Sequence, residues 1–435
     1  MNARAEGRDA AYDVVIVGGG IIGAALAAAL GGSALKVAVI EPQAPPAPPA
    51  DGFDLRVSAL TLASQTVLER VGAWPGIVAR RVAEVRAMRV WQARGVPAAA
   101  YDAGGGAAAR RSDGGFGEIR FEAAEIGEPC LAYIAENSVI GAALYEGIGR
   151  HANIHWIAGA FGALEAGGRP TVTLADGRRL GARLVVGADG ADSAVRRSLA
   201  VPVRRLDMRQ LGIVATVHTE RPHEDTAWQV FLPTGPLAFL PLSEARACAI
   251  VWSADRARAE ELLALDDAGF RAALAQAFGE RLGRIETVSA RAAFPLRLAH
   301  ADRYVAQGAA LIGDAAHVVH PLAGQGANLG LLDAAALAEV VLDAAAARRD
   351  IGAAWVLRRY ERWRKGENIG MIAVTGGFKY LFGNDWPVVS QLRAAGLSLT
   401  DRLGPAKNLI MRRAAGLTGD LPRLARRQQA SGPSP

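Results

Sequence analysis

Three short segments near the N terminus define the first pattern along the chain. Tyr12 to Val17 and Lys36 to Ile40 are apolar runs rich in β-branched residues, and Ile21 to Leu30 between them is rich in small, helix-favouring residues. This order predicts a βαβ unit with parallel strands. The 22 residues from Val14 to Leu35 carry no charge, which is also the length of a membrane-spanning helix, but their six glycines favour the buried βαβ interpretation.

A different pattern begins at Gln210. Short apolar runs follow one another with turn residues between them, namely LGIVATVHT, AWQVFL, LAFLPL and ACAIVW. Such runs predict an antiparallel sheet in a second domain. Beyond it, Ala309 to Ile312 is expected to be a buried strand, and a long alanine- and leucine-rich helix is expected from Asn328 to about Ala347. Ala59 to Val71 is also expected to be a helix.

Composition narrows the class of protein. With 435 residues, of which 51% are hydrophobic and 21% charged, the chain has the composition of a globular protein with two or three lobes. Cys130 and Cys248 lie far apart and neither belongs to a CxxC pair, so we expect a reducing, cytoplasmic compartment. The net charge of +6 comes from dispersed arginines, which argues against nucleic-acid binding and is compatible with weak attraction to an anionic membrane.

The strongest local motif lies between the first strand and the first helix. The sequence VVIVGGGIIG places Gly18, Gly20 and Gly23 in a GxGxxG arrangement, and Glu41 ends the next strand. The first glycine permits a tight turn, the second lets a pyrophosphate approach the backbone, and the third lets the helix pack on the strand. A carboxylate at Glu41 would accept hydrogen bonds from ribose hydroxyls. The motif predicts an adenine dinucleotide site without distinguishing FAD from NAD, and a chance match in a glycine-rich chain is the alternative.

A second motif favours a flavin. Near residue 312 the chain reads LIGDAAHVVHPLAGQGANLGLLDAAAL, in which a strand delivers Asp314 into a loop before Gly324, Gly326 and Asn328 open the long helix. A carboxylate at a strand end can hold a sugar-like hydroxyl of an extended cofactor. The N terminus of the helix can stabilise negative charge on a reduced flavin ring.

These two motifs, together with GADGADSAVR at Gly187 to Arg196, resemble the class of single-component flavoprotein aromatic hydroxylases that includes para-hydroxybenzoate hydroxylase. The more specific resemblance is to the ubiquinone-biosynthesis hydroxylase family, whose run GDAAHxxHPxAGQGxNLGxxD is matched from Gly313 through Asp333. The segments FDLRVSALT at Phe53 to Thr61 and AEN at Ala135 to Asn137 are similar to the same family. The resemblance spans nearly the whole chain.

The resemblance implies an α/β protein with a Rossmann-like FAD-binding domain, an inserted antiparallel β-sheet substrate domain and C-terminal helices. The FAD-binding domain would comprise residues 10–82, 120–200 and 296–365, the substrate domain residues 83–119 and 201–295, and the helical region residues 366–435. No second GxGxxG motif accompanies the first, which fits an NADH or NADPH that binds transiently. The residues implied in FAD binding are Gly18, Gly20, Gly23, Glu41, Arg56, Asn137, Asp189, Asp314, Pro321, Gly324, Gln325, Gly326, Ala327 and Asn328.

The reaction implied is hydroxylation of the aromatic ring of a polyprenylated phenol in ubiquinone biosynthesis. NAD(P)H reduces the flavin, O₂ adds at C4a, and the electron-rich ring attacks the distal oxygen of the flavin hydroperoxide. A phenol activates its own ring, so no catalytic protein base is identified. Two alternatives stay open, a flavin-dependent isoprenoid reductase of the same general fold and a flavin-stabilised scaffold subunit of a quinone-biosynthesis assembly. Peripheral contact with the inner membrane and with other quinone-biosynthesis proteins is also expected.

Other conspicuous residues have simpler explanations. His317 and His320 lie three positions apart, but no third metal ligand with matching spacing accompanies them, so we expect them to shape the flavin loop and to bind no metal. The basic stretch from Arg358 to Lys365 is either a solvated face or a membrane contact. Aromatic residues of the second domain line either a core or a substrate pocket. These aromatic residues are Trp228, Phe231, Phe239 and Trp252.

Overall fold

The computed structural model describes residues 9–45, 47–93, 117–319, 325–382 and 404–427. Most of the glycine-rich interval from Tyr101 to Gly117, together with His320, Pro321 and Gly324, lies outside these ranges. In chain order the strands are β1 (Asp9–Ala11), β2 (Val14–Val17), β3 (Val37–Glu41), β4 (Val57–Thr61), β5 (Ala83–Val85), β6 (Ala87–Gln92), β7 (Glu118–Glu122), β8 (Ala132–Glu136), β9 (Ile154–Ala158), β10 (Phe161–Glu165), β11 (Thr171–Leu174), β12 (Arg179–Gly181), β13 (Leu184–Gly187), β14 (Val203–Thr219), β15 (Thr226–Leu232), β16 (Gly235–Pro241), β17 (Ala247–Asp255), β18 (Ile285–Val288), β19 (Ala292–Ala301), β20 (Val305–Ala306), β21 (Ala309–Leu311) and β22 (His317–Val318).

The α-helices are α1 (Ile21–Ala29), α2 (Leu62–Arg70), α3 (Trp74–Arg80), α4 (Asn137–Ile148), α5 (Ala194–Ser198), α6 (Arg256–Ala264), α7 (Asp267–Phe278), α8 (Gln325–Ala346), α9 (Ala354–Phe382) and α10 (Gly404–Ala414). Short 3₁₀ turns cover Ala123–Ile126, Gly313–Ala315 and Arg423–Ala425.

The first domain is built on a six-stranded sheet with the strand order β20-β21-β13-β2-β3-β9. All pairs from β21 to β9 are parallel, and β20 joins β21 in the antiparallel direction. The residues of β2 and β13 are completely buried, as expected for parallel strands covered on both faces. Helix α1 packs against α4 and α8. The expected βαβ unit is therefore confirmed.

The second domain is built on a larger sheet with the strand order β22-β19-β14-β17-β16-β15-β6-β7, to which β18 adds a further pairing with β14. Its neighbours are antiparallel except for β15 and β6, which run parallel. Helices α6 and α7 pack on one face through Leu262, Phe270 and Leu274. The antiparallel sheet expected from the short apolar runs is confirmed, and α/β describes the whole fold.

A three-stranded sheet of β4, β8 and β5 packs against both domains, and Leu60 of β4 belongs to the apolar core of the first domain. Its residues Val85 and Ile134 share an apolar cluster with Leu240 and Ala249 of the large sheet. The sequence predicted a helix from Ala59, but the chain stays extended as far as Thr61 because β4 pairs with β8 along its whole length. The helix begins at Leu62, and the Thr61 side chain caps it by accepting a hydrogen bond from the Ser64 N–H.

Within residues 354–382 and 404–427 the C-terminal part of the chain is mainly helical, as expected. Helix α9 packs against α8, and α10 packs on the 3₁₀ turn at Ala123–Ile126. Within the described residues, no helix combines the length and the apolar composition that a membrane span requires. The division of the chain into domains stays a prediction. Strands β6 and β7 belong to the large sheet, and β19 continues across the expected boundary at residue 296.

Candidate cofactor site

The three glycines of the N-terminal motif occupy three different environments. Gly18 has a φ of +104°, and a Cβ built on it would lie 2.4 Å from the carbonyl oxygen of Ala188. A Cβ on Gly23 would lie 1.9 Å from the carbonyl oxygen of Gly18, so α1 approaches the strand this closely because position 23 has no side chain. Gly20 is exposed, and a Cβ on it would meet nothing within 4 Å. The backbone at Gly20 therefore borders open space that a pyrophosphate can enter.

The N terminus of α1 lies beside a fixed carboxylate. Gly20 is the N-cap residue and no side chain caps the helix, so the first N–H groups are left for an external acceptor. Glu41 Oε2 accepts a hydrogen bond of 2.8 Å from the Gly19 N–H, and its Oε1 accepts one of 3.1 Å from the Gln43 N–H. These bonds orient the carboxylate at the end of β3. Its remaining lone pairs can accept hydrogen bonds from a ribose.

Trp156 is a neighbour of this carboxylate that sequence reasoning missed. A Cβ built on Gly19 would lie 2.3 Å from Trp156 Cη2 and 2.9 Å from Glu41 Cβ. The indole therefore packs directly against the glycine loop. No local pattern in the sequence identifies Trp156, because its position depends on the pairing of β9 with β3, which places it beside the strand that ends at Glu41.

The second motif meets the first at Ile22. A Cβ built on Gly313 would lie 3.3 Å from Ile22 Cγ1. One built on Gly330 would lie 2.7 Å from Ile22 Cδ1 and 3.4 Å from Gly313 Cα. Helix α1, the loop after β21 and helix α8 are thus in direct contact. Two segments almost 300 residues apart in the sequence form one region of the molecule.

Asp314 and Arg56 are both exposed beside this contact. Asp314 reaches solvent although protein atoms surround it densely. Desolvation raises the pKa of the Asp314 carboxyl, while His317 and Arg56 act in the opposite direction. The Arg56 guanidinium carbon lies 6.0 Å from the ring centroid of Phe294 on β19. This part of the first domain therefore faces the large sheet of the second.

Asn137 is joined to Arg56 at the start of α4. The Asn137 N–H donates a hydrogen bond of 2.9 Å to the carbonyl oxygen of Arg56. Its Oδ1 accepts a bond of 2.7 Å from the Ser58 hydroxyl. Among the described residues its Nδ2 group has no acceptor, and it is therefore available to donate to a ligand. The structure thus brings together Arg56, Asn137 and Asp314, the three residues expected at the sugar-phosphate portion of FAD.

Asp189 and Arg196 organise the loop after β13. Asp189 Oδ2 accepts hydrogen bonds from the N–H groups of Ala194 and Val195, at 2.7 and 3.0 Å, and so caps α5. Its Oδ1 is buried without a partner in the described part of the chain. The buried Arg196 guanidinium donates to the carbonyl oxygens of Ala315 and Ala191, both at 2.7 Å. Arg196 thereby ties the loop of Asp189 to the loop of Asp314.

The start of α8 is tied to β4. Gln325 is its first residue, and Gly326 and Ala327 are partly exposed. Asn328 is buried, and its side-chain amide bridges two backbone groups of β4, donating 2.7 Å to the Ala59 carbonyl oxygen and accepting 2.9 Å from the Thr61 N–H. The Asn328 amide therefore positions the N terminus of α8. Pro321 and Gly324, expected beside the flavin ring, lie outside the described residues.

Asp333 is a further residue that the sequence did not identify as part of the site. It is completely buried in α8, where it accepts hydrogen bonds from the Gly313 N–H and from the imidazole of His317. His317 therefore faces inward behind the Asp314 loop. Across the residues that the structure describes, no cluster of three or more histidine, cysteine, aspartate or glutamate side chains could hold a metal ion.

The aromatic residues of the second domain divide between the two faces of the large sheet. Trp228, Phe239 and Trp252 belong to the core beneath α6 and α7, where Phe239 stacks on Phe278 at 3.9 Å between ring centroids. Phe231 lies on the opposite face, since side chains alternate along β15, and packs with Val90 and Ile119. For the first three residues the core interpretation is correct and the pocket interpretation is wrong.

A cavity of about 550 Å³ lies elsewhere, between α3 and the large sheet. Trp74 and Tyr133 meet in it edge to face, and Glu84, Glu224 and Asp225 are among its other lining residues. None of the residues expected to bind FAD lines it. An acidic lining is unsuited to a pyrophosphate, so we place the cofactor at the glycine loops instead.

The residues at the glycine loops fit FAD. An uncapped helix N terminus borders open space at Gly20, a carboxylate is fixed at Glu41, and exposed polar residues lie farther along at Arg56 and Asp314. The helix N terminus suits a pyrophosphate, the carboxylate of Glu41 suits a ribose, and the polar residues Arg56 and Asp314 suit a second sugar-like chain.

Comparisons with known proteins agree with this geometry. The FAD binding domain family model matches residues 11–368. "Ubiquinone hydroxylase UbiL" of Rhodospirillum rubrum is 37% identical over 427 residues, covering 96% of this chain and 93% of that protein. "3-demethoxyubiquinol 3-hydroxylase" of Escherichia coli is 36% identical over 413 residues, covering 93% and 98%. The crystal structure of p-nitrophenol 4-monooxygenase PnpA from Pseudomonas putida has the same fold, with a TM-score of 0.73 at 18% identity over 93% of this chain and 98% of that one. The chain therefore belongs to the ubiquinone-biosynthesis hydroxylase family of FAD-dependent aromatic-ring monooxygenases.

Proposed function

We propose that this enzyme uses FAD, NADH or NADPH and O₂ to hydroxylate the ring of a polyprenylated phenol in ubiquinone biosynthesis. The observation that carries the proposal is the contact of the two glycine-rich segments at Ile22, beside the exposed Asp314 and Arg56. The names of the R. rubrum and E. coli relatives, which refer to ubiquinone and demethoxyubiquinol, support a substrate of this class.

The chain's own residues would hold the cofactor at both ends. The N terminus of α1 would bind the pyrophosphate, Glu41 the adenosine ribose, and Asp314 with Arg56 and Asn137 the ribityl and phosphate portion. The N terminus of α8 would lie beside the isoalloxazine and stabilise negative charge on it. The full proposed set remains Gly18, Gly20, Gly23, Glu41, Arg56, Asn137, Asp189, Asp314, Pro321, Gly324, Gln325, Gly326, Ala327 and Asn328.

We place the substrate ring between the cofactor and the inner face of the large sheet, the face opposite α6 and α7. Phe294, Gly212 and Ser253 lie side by side on this face, and Arg56 lies next to Phe294. Bound FAD supplies the oxygen-activating chemistry once NAD(P)H has reduced it. The protein's contribution is then to orient the ring, exclude water and place the positive end of α8. A phenol needs little help from a protein base, and none is assigned.

Flavin binding and product analysis test the function together. The purified protein should show flavin absorbance, either as isolated or after reconstitution, and a prenylated phenol should stimulate NAD(P)H oxidation and yield a product with one added oxygen. NAD(P)H oxidation with a reduced isoprenoid product would support the reductase alternative. Flavin binding without substrate-stimulated oxidation would support the scaffold. The variant Asp314→Ala should bind FAD at least ~10-fold more weakly while remaining folded, since it loses a charge-assisted hydrogen bond.

We also propose peripheral contact with the inner membrane, through α10 rather than through the basic stretch from Arg358 to Lys365. In that stretch Arg359 pairs with Asp343, Arg364 pairs with Asp333, and Lys365 donates to the carbonyl oxygen of Asp302. Its other arginines, Arg358 and Arg362, are exposed, but no large apolar side chain of the stretch is exposed beside them, as an interfacial contact requires.

Helix α10 instead presents apolar side chains beside positive charge. Leu409 and Ile410 are 64% and 50% exposed, and Arg412 and Arg413 follow them on the same helix. Arg412 donates a hydrogen bond of 2.9 Å to the carbonyl oxygen of Ile126, and Arg413 pairs with Glu367 of α9, while both arginines stay exposed. We call Leu409, Ile410, Arg412 and Arg413 the α10 face. Apolar side chains flanked by arginines suit an anionic lipid surface.

A further inference from the structure

The carboxylate of Asp333 is the centre of a buried polar cluster that joins three elements. Its Oδ2 accepts a hydrogen bond of 3.1 Å from the Gly313 N–H and another from His317 Nε2. Its Oδ1 accepts a bond of 2.9 Å from Arg364 Nε and one of 3.2 Å from Asn368 Nδ2. Both oxygens are therefore saturated by donors from the loop after β21 and from α9.

Burial of the charges in this cluster is unfavourable unless each charge is paired. The side chains of Asp333, His317 and Arg364 are all at least 97% buried. His317 and Arg364, through charge and hydrogen bonding, outweigh desolvation and lower the pKa of Asp333 to about 2. A buried carboxylate is stable only when its partners remain in place, so removal of Arg364 would leave an incompletely compensated charge. The arrangement of the loop and the position of α9 are consequently coupled.

The loop held in this way carries the residue proposed to bind the cofactor. Gly313 directly precedes Asp314, and its backbone has a φ of +58° in contact with Ile22. The Asp333 carboxylate fixes the N–H on one side of Asp314, and the imidazole of His317 fixes the other end of the loop. A shift of either anchor would move the Asp314 carboxylate relative to the N terminus of α1.

We propose that Arg364 is a positioning residue for the cofactor site, which acts through Asp333 to hold the loop from Gly313 to His317 in the geometry that FAD requires. The inference rests on the proposed FAD site. It assigns a role in cofactor binding to a residue of α9 that does not touch the cofactor. Helix α9 then positions the cofactor-binding loop in addition to packing against α8.

The same two helices provide a matched control. Arg359 of α9 pairs with Asp343 of α8 at 2.8 Å on the protein surface, and it makes no contact with the loop among the described residues. If Arg364 only fastened α9 to α8, its loss would destabilise the whole protein without a selective acceleration of hydrogen exchange in the loop from Gly313 to His317. If Arg364 positions the loop, exchange will accelerate selectively in that loop in the Arg364 variant and not in the Arg359 variant.

The experiment compares Arg364→Met, Arg364→Lys and Arg359→Met with the wild-type protein. FAD affinity is measured by fluorescence titration of the apoprotein, and hydrogen exchange is measured in the apoprotein on peptides covering residues 313–317. We expect Arg364→Met to weaken FAD binding at least ~10-fold, as for loss of a hydrogen bond to a charged group, and to accelerate exchange in the loop. Arg364→Lys keeps the positive charge, so its FAD affinity and its loop exchange rate should lie between those of Arg364→Met and the wild type. Arg359→Met should stay within about twofold of wild type.

Two results would overturn the inference: unchanged FAD affinity and loop exchange in Arg364→Met, or equal weakening in Arg364→Met and Arg359→Met. If Arg364→Met does not fold, Arg364→Gln takes its place, because it keeps a hydrogen-bond donor toward the Asp333 carboxylate and removes only the positive charge. A wild-type protein that fails to bind FAD would contradict the proposed function instead. The exchange comparison in the apoprotein would still decide whether Arg364 holds the loop.

Discussion

The absence of a side chain leaves room for the pyrophosphate at Gly20 and lets α1 pack closely on the strand at Gly23. Substitutions at the two positions should therefore have different effects. A Cβ on Gly20 meets nothing, so Gly20→Val should leave the apoprotein as stable as wild type but obstruct the pyrophosphate and weaken FAD binding at least ~10-fold. A Cβ on Gly23 would lie 1.9 Å from the Gly18 carbonyl oxygen, so Gly23→Ala should cost about 1–3 kcal/mol of unfolding free energy. Thermal unfolding of both apoproteins and FAD titration measure the two effects. Equal losses of apoprotein stability would contradict this division of roles.

His300 allows a prediction about pH. It lies beside His317 in the pairing of β19 with β22, and its Nε2 is 3.1 Å from the Tyr304 hydroxyl. Burial, followed by the charges of Lys365 and His317, lowers the pKa of His300 below its ordinary value of 6.5. The unfolded chain therefore binds a proton at His300 more readily than the folded protein does, and stability falls as the pH drops through 6.5.

Replacement of His300 should remove this part of the pH dependence. The free energy of unfolding of the wild type, measured with urea at pH 7.5, 6.5 and 5.5, should decline over this range more steeply than that of His300→Gln. The glutamine can still bond to the Tyr304 hydroxyl, which limits other losses. Parallel declines in the two proteins would show that His300 does not contribute to the slope.

Among the secondary-structure elements, local sequence patterns were enough to predict those whose own residues strongly favour one conformation. The strands Val14–Val17 and Leu184–Gly187 are continuous apolar runs, and the GxGxxG turn follows from its glycines. The error at Ala59 has a non-local cause, because β4 is extended through its pairing with β8, whose residues lie more than 70 positions later. Alanine and leucine at these positions are equally compatible with a helix, so the sequence pattern could not decide.

The sequence likewise predicts only those residues of the candidate site that belong to a local motif. Asp314 and Glu41 stand at the ends of strands, where a motif identifies them. Asp333 and Arg364 lie 31 residues apart on two different helices, and their contact depends on how α8 and α9 pack. Nothing in the spacing of charges along the chain encodes that packing. Asn328 belongs to the family run, but its bridging of β4 depends on how α8 packs against that strand, which the run does not encode.

Asn328 therefore supports a prediction about the junction of α8 with β4. Asn328→Ala would leave the buried Ala59 carbonyl and Thr61 N–H without their partner, which should cost about 2–4 kcal/mol of unfolding free energy. Urea denaturation of the apoprotein measures the loss. Gln65→Ala is the control, since it removes a solvent-side hydrogen bond to Glu69 and should cost less than ~0.5 kcal/mol. A loss at Asn328 as small as the control's would mean that the bridge does not stabilise the junction.

At the scale of the whole molecule, charge is distributed unevenly. The 82 residues from Ala354 to the C terminus contain 14 lysines and arginines and five aspartates and glutamates, a net charge of +9, whereas the preceding 353 residues have a net charge of −3. The α10 face lies within this positive part. This polarity of charge along the sequence favours attraction of the C-terminal part of the chain to an anionic surface.

This polarity predicts how the protein binds vesicles. Binding should be measurable by co-sedimentation with vesicles rich in phosphatidylglycerol, weaker with pure phosphatidylcholine, and reduced as salt shortens the Debye length below about 10 Å. The double variant Leu409→Ser with Ile410→Ser keeps the charge but loses the apolar contribution, so its affinity should fall at least ~10-fold. Val78→Ser is the matched control, because Val78 is 52% exposed beside the acidic cavity, and it should bind as wild type does. Equal binding by all three proteins would place the membrane contact elsewhere on the chain, since the exposed apolar pair of α10 would then contribute nothing to it.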